Sequence, residues 1–176
     1  MFDTIAGLPL HPLVVHAVEV IVPLAALAVL LAAVWPRFRR WAFALPLALA
    51  LGALVLVPIA TQSGEALEER VSETAAVEVH TQMGVQLTPW VIGLAVVAAA
   101  LFYLTWQARP GRRDGTGRAA PTWLPIVIMV AALIASTGTI VQAVRIGHSG
   151  ATSVWGQTAG ATSPDEGTGD GDSDGD

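Results

Sequence analysis

Four apolar stretches constrain the fold of this chain more than any other feature of its sequence. They run from about residue 13 to 34, 41 to 60, 85 to 106 and 123 to 144. Each is close to the roughly 20 residues that an α-helix needs to cross the hydrocarbon core of a bilayer. Backbone polar groups find no water in that core, so such segments fold as helices. We therefore predict an all-α membrane protein built as a four-helix transmembrane bundle.

Tryptophan and arginine positions predict how these segments lie in the membrane. Indole rings settle among lipid headgroups, and five tryptophans stand at segment ends. Seven of the nine basic residues, all arginines, lie between the first and second segments or between the third and fourth. Short arginine-rich loops stay in the cytoplasm. We therefore expect a multi-pass protein of the cytoplasmic (inner) membrane, with its N- and C-termini outside.

The rest of the chain divides into a connection and a tail. Strong helix formers from Glu65 to Arg70 follow Ser63 and Gly64, which predicts a short extramembrane helix between the second and third spans, with a break near Thr74. From residue 157 to 176 the composition changes to Gly, Thr, Ser and acidic residues, which is typical of a disordered tail. The four-span domain is thus expected to occupy residues 1–156.

Histidine is the residue type best able to carry chemistry in this chain. There is no cysteine and no lysine, which excludes disulfides, thiolate catalysis and c-type haem attachment. Neutral imidazole binds haem iron, copper and zinc, and an ionisable group within a span usually has a functional or paired role. The predicted topology puts all four histidines at the outer end of the bundle: His11, His16, His80 and His148.

Two kinds of site are compatible with these histidines. A haem b needs imidazoles from two helices, which favours His16 with His80 or His148, and Arg145 is then a partner for a haem propionate. A zinc or copper ion would instead take three histidines and a carboxylate, for which Glu19 is the candidate because it is the only acid within a span. The candidate metal ligands are His11, His16, Glu19, His80 and His148.

Each position also has a structural interpretation without a ligand. His11 can anchor the first helix at the membrane interface, and His16 can form a hydrogen-bonded pair with Glu19. His80 can lie exposed on a solvated helix, and the glycines around His148 can simply end a helix.

The string from Gly7 to His16, GLPLHPLVVH, resembles the opening of a bacterial membrane-protein family known as domain of unknown function 2231. Residues 60–66 (ATQSGEA), His80 and the stretch 147–156 are similar to that family as well, so the resemblance covers about residues 7–156. It implies a four-span bundle without an assigned activity, and the family's likeness to small b-type cytochrome bundles makes haem the leading cofactor. Glu19 departs from the pattern, in which an apolar residue is usual. The implied motif positions are His11, His16, Ser63, Gly64, Glu65, His80, His148 and Gly150.

These observations support function hypotheses from different classes. The first is an integral membrane protein that binds haem b or a metal ion at its extracytoplasmic end and passes electrons to a membrane redox or envelope partner. The alternative is a structural or accessory membrane protein without a cofactor. A small transporter is a weaker alternative, because the spans are nearly bare of polar groups at mid-bilayer. A non-enzymatic role is favoured, the lipid bilayer is the expected surrounding, no nucleic-acid partner is expected, and a homo-oligomer is left open.

Overall fold

The helices of the protein follow the four apolar stretches, with shorter helices placed between them. The computed structural model describes residues 4–5, 8–68, 75–109 and 121–160, and the side chains of residues 11–67, 77–109 and 121–152. Within these residues the strands β1 (Thr4–Ile5) and β2 (Leu8–Pro9) form one small antiparallel pair. The helices are α1 (Leu10–Val34), α2 (Pro36–Ala42), α3 (Leu45–Glu68), α4 (Ala75–Val85), α5 (Leu87–Gln107) and α6 (Leu124–Gly160).

Within the described residues, four helical segments are long and apolar enough to cross a membrane. They are His11–Val34, Leu45–Leu67, Val77–Gln107 and Leu124–Thr152. The predicted all-α fold with four transmembrane helices is therefore confirmed. The short helix between the second and third spans is confirmed too, although α4 is separated from α5 by Gln86 alone and forms one continuous candidate span with it.

The second span begins and ends at other residues than the sequence suggested. Pro36–Ala42 forms the separate helix α2, because Pro36 is well suited to a first helical turn, and the second span begins only at Leu45. At its other end α3 continues to Glu68, so Glu65 belongs to the span helix rather than to a separate extramembrane helix. Arg70 and the predicted break near Thr74 lie outside the described residues.

The fourth span is also longer than predicted. Helix α6 continues well past residue 144, through Gly147 and Gly150, to Gly160. A helix interior tolerates single glycines at a cost of about 0.5–1 kcal/mol each, so this extension needs only modest compensation from packing. The tail from residue 161 onward, and most of the second arginine-rich loop, lie outside the described residues.

The four long segments pack as a ring. Helix α1 contacts α3 and α6, and α5 contacts the same two helices. The facing sides are lined mainly by small buried residues, among them Ala25, Ala53 and Ala98, which let helix backbones approach closely. Large apolar side chains such as Val96 and Ile134 point outward, as expected for helices surrounded by lipid.

This arrangement gives the bundle two different ends. The histidine end is defined by His11, Ser63, His80 and Ser149, where α3 meets α1 and α6 meets α4. The arginine end, opposite, is defined by α2 and Arg109. Here the Arg109 guanidinium lies 3.5 Å from the ring centroid of Phe43, a cation–π contact. Phe43 has a φ of 36°, a left-handed conformation that ends α2 and turns the chain into α3.

Candidate functional site

All four histidines lie toward the histidine end of the bundle. His11 opens α1, His16 follows little more than one turn later, His80 is on α4, and His148 is on α6 beside Ser149. The structure brings His11 and His80 close enough together to interact electrostatically. Both are half-buried, whereas His16 and His148 are exposed. His11 and His80 are also the two histidines whose hydrogen bonds reach another helix.

The His11 ring connects α1 to α3. Its Nδ1–H donates to the carbonyl oxygen of Ala60 at 3.1 Å and to the hydroxyl of Ser63 at 3.2 Å. The Ser63 hydroxyl in turn donates to the same Ala60 carbonyl at 3.0 Å. The sequence suggested that His11 anchors its own helix, but the structure shows its imidazole bonded to the second span.

The His80 ring connects α4 to α6 by the same chemistry. Its Nδ1–H donates to the Ser149 hydroxyl at 3.0 Å, and that hydroxyl donates to the Ile146 carbonyl oxygen at 2.9 Å. A second contact joins these helices, since the buried Gln142 amide donates to the carbonyl oxygen of Met83 at 3.0 Å. His80 is therefore fixed between helices rather than free on a solvated surface.

These partners determine which ring nitrogen of each histidine carries the hydrogen. A carbonyl oxygen can only accept, so Nδ1 of His11 must be the donor to Ala60. With the Ser149 hydroxyl donating to the Ile146 carbonyl, Nδ1 of His80 is the donor to Ser149. In a neutral imidazole the other nitrogen, Nε2, then keeps its lone pair. Each ring can offer Nε2 to a metal or to a proton.

A glycine supports each of the two rings. A Cβ added to Gly64 would stand 3.0 Å from Cε1 of His11, and one added to Gly150 would stand 3.1 Å from Cε1 of His80. Such separations are tighter than ordinary van der Waals contact. Each imidazole therefore lies against a helix backbone at a Ser-Gly pair, and a larger residue in place of the glycine would displace it.

The remaining candidate residues lie around this pair. His16 donates from Nδ1 to the carbonyl oxygen of Pro12 at 2.6 Å, within its own helix, and not to Glu19 as one interpretation of the sequence suggested. Glu19 is exposed and borders α6, because a Cβ added to Gly147 would be 4.0 Å from its Oε1. Arg145 is exposed on α6.

The described residues do not gather the larger metal-ligand set. Within them, no three or more His, Cys, Asp or Glu side chains are grouped as they would have to be to hold a metal ion. The geometry at the histidine end therefore consists of two imidazoles from different helices, with further histidines nearby at the surface.

The sequence did not single out Ser149, nor the pairing of His11 with His80. A signal for both was present: the dipeptide Ser-Gly occurs near the end of the second span and again in the fourth, and in each case the preceding span begins near a histidine. Serine side chains at such places can accept from a ring on a neighbouring helix. The repeated dipeptide could have indicated the partner of each histidine.

Comparison with known proteins agrees with the resemblance seen in the motifs. The model of a family described as a predicted membrane protein, DUF2231, matches residues 7–163. No curated protein and no solved structure matches the chain.

Proposed function

The chain belongs to this family of predicted membrane proteins, and we propose that it binds haem b through His11 and His80 and passes electrons at the histidine end. The family has no assigned activity from which to argue. The proposal therefore depends on the chemistry of the two imidazoles and on their place in the bundle.

One observation carries the proposal: both rings donate from Nδ1 to fixed acceptors and leave Nε2 available. Imidazoles that bind metals almost always donate their other N–H to a carbonyl, carboxylate or hydroxyl, which fixes the tautomer and raises the basicity of the ligand. Two such rings from different helices are the donor set that six-coordinate haem iron takes. Bound haem would supply one-electron chemistry, while Ser63, Ser149 and the Ala60 carbonyl hold the rings in position.

Charge at the two ends supports an orientation for this site. The exposed Arg145 near the histidine end is available to a haem propionate. Arg37, Arg39 and Arg40 of α2 carry positive charge at the arginine end. With that end in the cytoplasm, the haem site would lie toward the outer face of the cytoplasmic membrane, within reach of an envelope or membrane redox partner.

Visible absorption of the full chain, purified in detergent from haem-replete cells, tests the proposal. We expect a Soret band and the sharp bands of low-spin haem after reduction. His11→Ala and His80→Ala should remove the low-spin spectrum, whereas the matched exposed variants His16→Ala and His148→Ala should keep it. Loss in His16→Ala or His148→Ala instead would favour the ligands suggested by the sequence. A colourless wild-type protein that carries copper or zinc would replace haem by a metal ion as the ligand. A wild-type protein that carries neither haem nor a metal ion would refute the proposal.

A cofactor-free structural protein is the second candidate, because the same contacts also clamp helices together. His11 ties α1 to α3, and His80 ties α4 to α6. Such interhelical hydrogen bonds contribute about 0.6 kcal/mol each on average in a membrane protein. This candidate predicts a colourless, metal-free protein in which His11→Ala and His80→Ala lower the unfolding temperature.

A further inference from the structure

The histidine contacts occur twice with a regular spacing along the chain. His11 meets Ser63 and Gly64, and His80 meets Ser149 and Gly150. From His11 to His80 the numbering advances by 69, and from Ser63 to Ser149 it advances by 86. Adding 69 to the number of the histidine, and 86 to the numbers of the serine and the glycine, therefore converts the first contact into the second.

A second contact, deeper in the bundle, obeys the same two shifts. A Cβ added to Gly52 would be 3.9 Å from Cγ2 of Ile21. Advancing Gly52 by 86 gives Gly138, and advancing Ile21 by 69 gives Trp90. A Cβ added to Gly138 would collide with the Trp90 ring, so the same pair of positions is in contact in both halves.

The core follows the shift of 69 as well. Every buried residue of α1 has a buried counterpart in α5, and Leu87, the further buried residue of α5, corresponds to the half-buried Val18. Few of the paired residues are identical, although all are apolar. The pairs are Val22 with Val91, Ala25 with Leu94, Ala26 with Ala95, Ala28 with Val97, Val29 with Ala98, and Ala32 with Leu101.

The other two helices correspond in the same way. Advancing the buried Ala50 and Ala53 of α3 by 86 gives Ser136 and Thr139 of α6, which are also buried. Neighbours correspond too, because α1 packs between α3 and α6, and α5 packs between the same two helices. Each half is thus a helix hairpin in which a histidine of the first helix meets a Ser-Gly pair of the returning helix.

We infer that the bundle consists of two equivalent hairpins and that His11 and His80 form one composite site that binds a single metal centre. Corresponding helices run in the same direction, so the hairpins are related by an approximate twofold axis along the helices, as in other membrane proteins with parallel repeats. Equivalent residues lie on opposite sides of such an axis. A single ligand bound equally by both Nε2 atoms would therefore lie on the axis, and His11 and His80 would hold it from opposite sides. The ligand part of this inference rests on the proposed function.

The ligand part is tested by stoichiometry and by matched variants of the full chain. We expect one haem per chain, or one copper or zinc ion if the protein binds a metal ion instead. His11→Ala and His80→Ala should each lower occupancy by the same factor, and added imidazole should restore the low-spin spectrum of either haem-loaded variant. Two equivalents per chain, or an effect of only one of the two variants, would overturn the composite site. A wild-type protein with neither haem nor metal would refute the proposed function and, with it, the composite site.

The equivalence of the hairpins is tested without any ligand. An open groove of about 500 Å³ lies over Gly52, lined by apolar residues that include Ile21, Ala48 and Val55. The two shifts identify it as the counterpart of the place that Trp90 fills in the second hairpin. Ile21→Trp should therefore fill this groove and leave the protein folded.

A double-mutant cycle then gives the deciding measurement, the unfolding midpoint in detergent. Gly52→Ala alone should shift the midpoint little. In the Ile21→Trp background the same change should lower the midpoint about as much as Gly138→Ala does in the wild type. Leu24→Trp, at another exposed position of α1, is the control in which Gly52→Ala should remain additive. Additive effects in the Ile21→Trp background as well would overturn the equivalence.

Discussion

The first hairpin, α1 with α3, and the second, α4 and α5 with α6, share their histidine contacts but differ in their cores. Both place a histidine Nδ1 on a serine hydroxyl and the ring beside a glycine. In the core, however, Ser136 and Thr139 of α6 stand where α3 has alanines. The halves therefore share their histidine contacts and the positions of their buried residues, and they differ in the side chains that fill those buried positions.

The contrast is strongest around the two mid-span glycines. In the second hairpin the Trp90 ring lies directly on Gly138, while in the first hairpin Ile21 leaves an open groove over Gly52. The entry helices differ as well, since α1 is continuous whereas Gln86 separates α4 from α5. Packing can change in one half because apolar contacts tolerate substitution as long as volume is compensated. The histidine contacts need a donor and an acceptor in fixed places, so they tolerate less.

The comparison requires that the histidine ends of both hairpins lie on the same side of the membrane, and cysteine labelling tests this directly. The chain has no native cysteine, so single cysteines report on accessibility cleanly. We expect Gln62→Cys and Thr152→Cys, both at exposed positions toward the histidine end, to react with an impermeant maleimide added outside intact cells. Trp41→Cys and Thr122→Cys, exposed at the arginine end, should react only after permeabilisation. Opposite labelling of Gln62→Cys and Thr152→Cys would rule out parallel hairpins.

The next largest effect should come from the mid-span glycines. Gly138→Ala forces a methyl group into the Trp90 ring, and overpacking of this kind costs about 1–3 kcal/mol or more of stability. Gly52→Ala meets Ile21 only at ordinary contact distance and should be nearly neutral. Gly93→Ala is the control, because nothing lies within 4 Å of the added Cβ. Unfolding midpoints in detergent measure all three, and equal losses at Gly52 and Gly138 would contradict the difference between the halves.

How far the sequence alone predicts this molecule depends on the kind of signal. Length and hydropathy predicted the four spans, because crossing a bilayer imposes them on any helix. The helix α2 and the extension of α3 to Glu68 were not predicted, because they depend on local turn geometry and packing. The sequence also did not reveal the equivalence of the two halves. Membrane helix cores require only small or apolar residues, so paired positions such as Ala25 and Leu94 share burial without sharing identity.

The histidine site shows the same limit. The sequence indicated that histidines gather at one end, since each lies near a span boundary on the same side. It favoured His16 over His11 as a ligand. One sequence does not show which face of a helix meets a neighbouring helix, so it could not reveal that His11 faces α3. The structure shows His11, and not His16, bonded to another helix. Pairing across helices is a tertiary property, and here it depends on serines more than 50 residues away along the chain.

Replacing Ser63 or Ser149 should have a smaller effect on stability, and it tests the histidine contacts that the two halves share. Ser63→Ala and Ser149→Ala each remove a hydrogen-bond acceptor of a histidine ring, at a cost of about 0.5–1.5 kcal/mol. Ser63→Ala should lower stability no more than Ser149→Ala does, because the Ala60 carbonyl still accepts from His11. Thr105→Ala, whose hydroxyl only donates within its own helix, is the control and should be milder. Chemical denaturation measures these losses, and no loss at either serine would mean that the histidine contacts contribute nothing to the fold.

The last effect concerns the polar core of the second hairpin, where the expected sign of the change, rather than its size, is the informative part. The Ser136 hydroxyl is fully buried and has no hydrogen-bond partner among the described residues. A buried, unsatisfied polar group costs about 1–3 kcal/mol, so Ser136→Ala, which restores the residue type found at Ala50, should leave stability unchanged or raise it by up to about that amount. Thr139→Ala is the comparison, since its hydroxyl donates to the Ala135 carbonyl at 2.7 Å and its loss should not stabilise. If Ser136→Ala lowers the unfolding midpoint instead, the hydroxyl has a partner in the membrane, and the core of the second hairpin differs from the first for a reason other than packing.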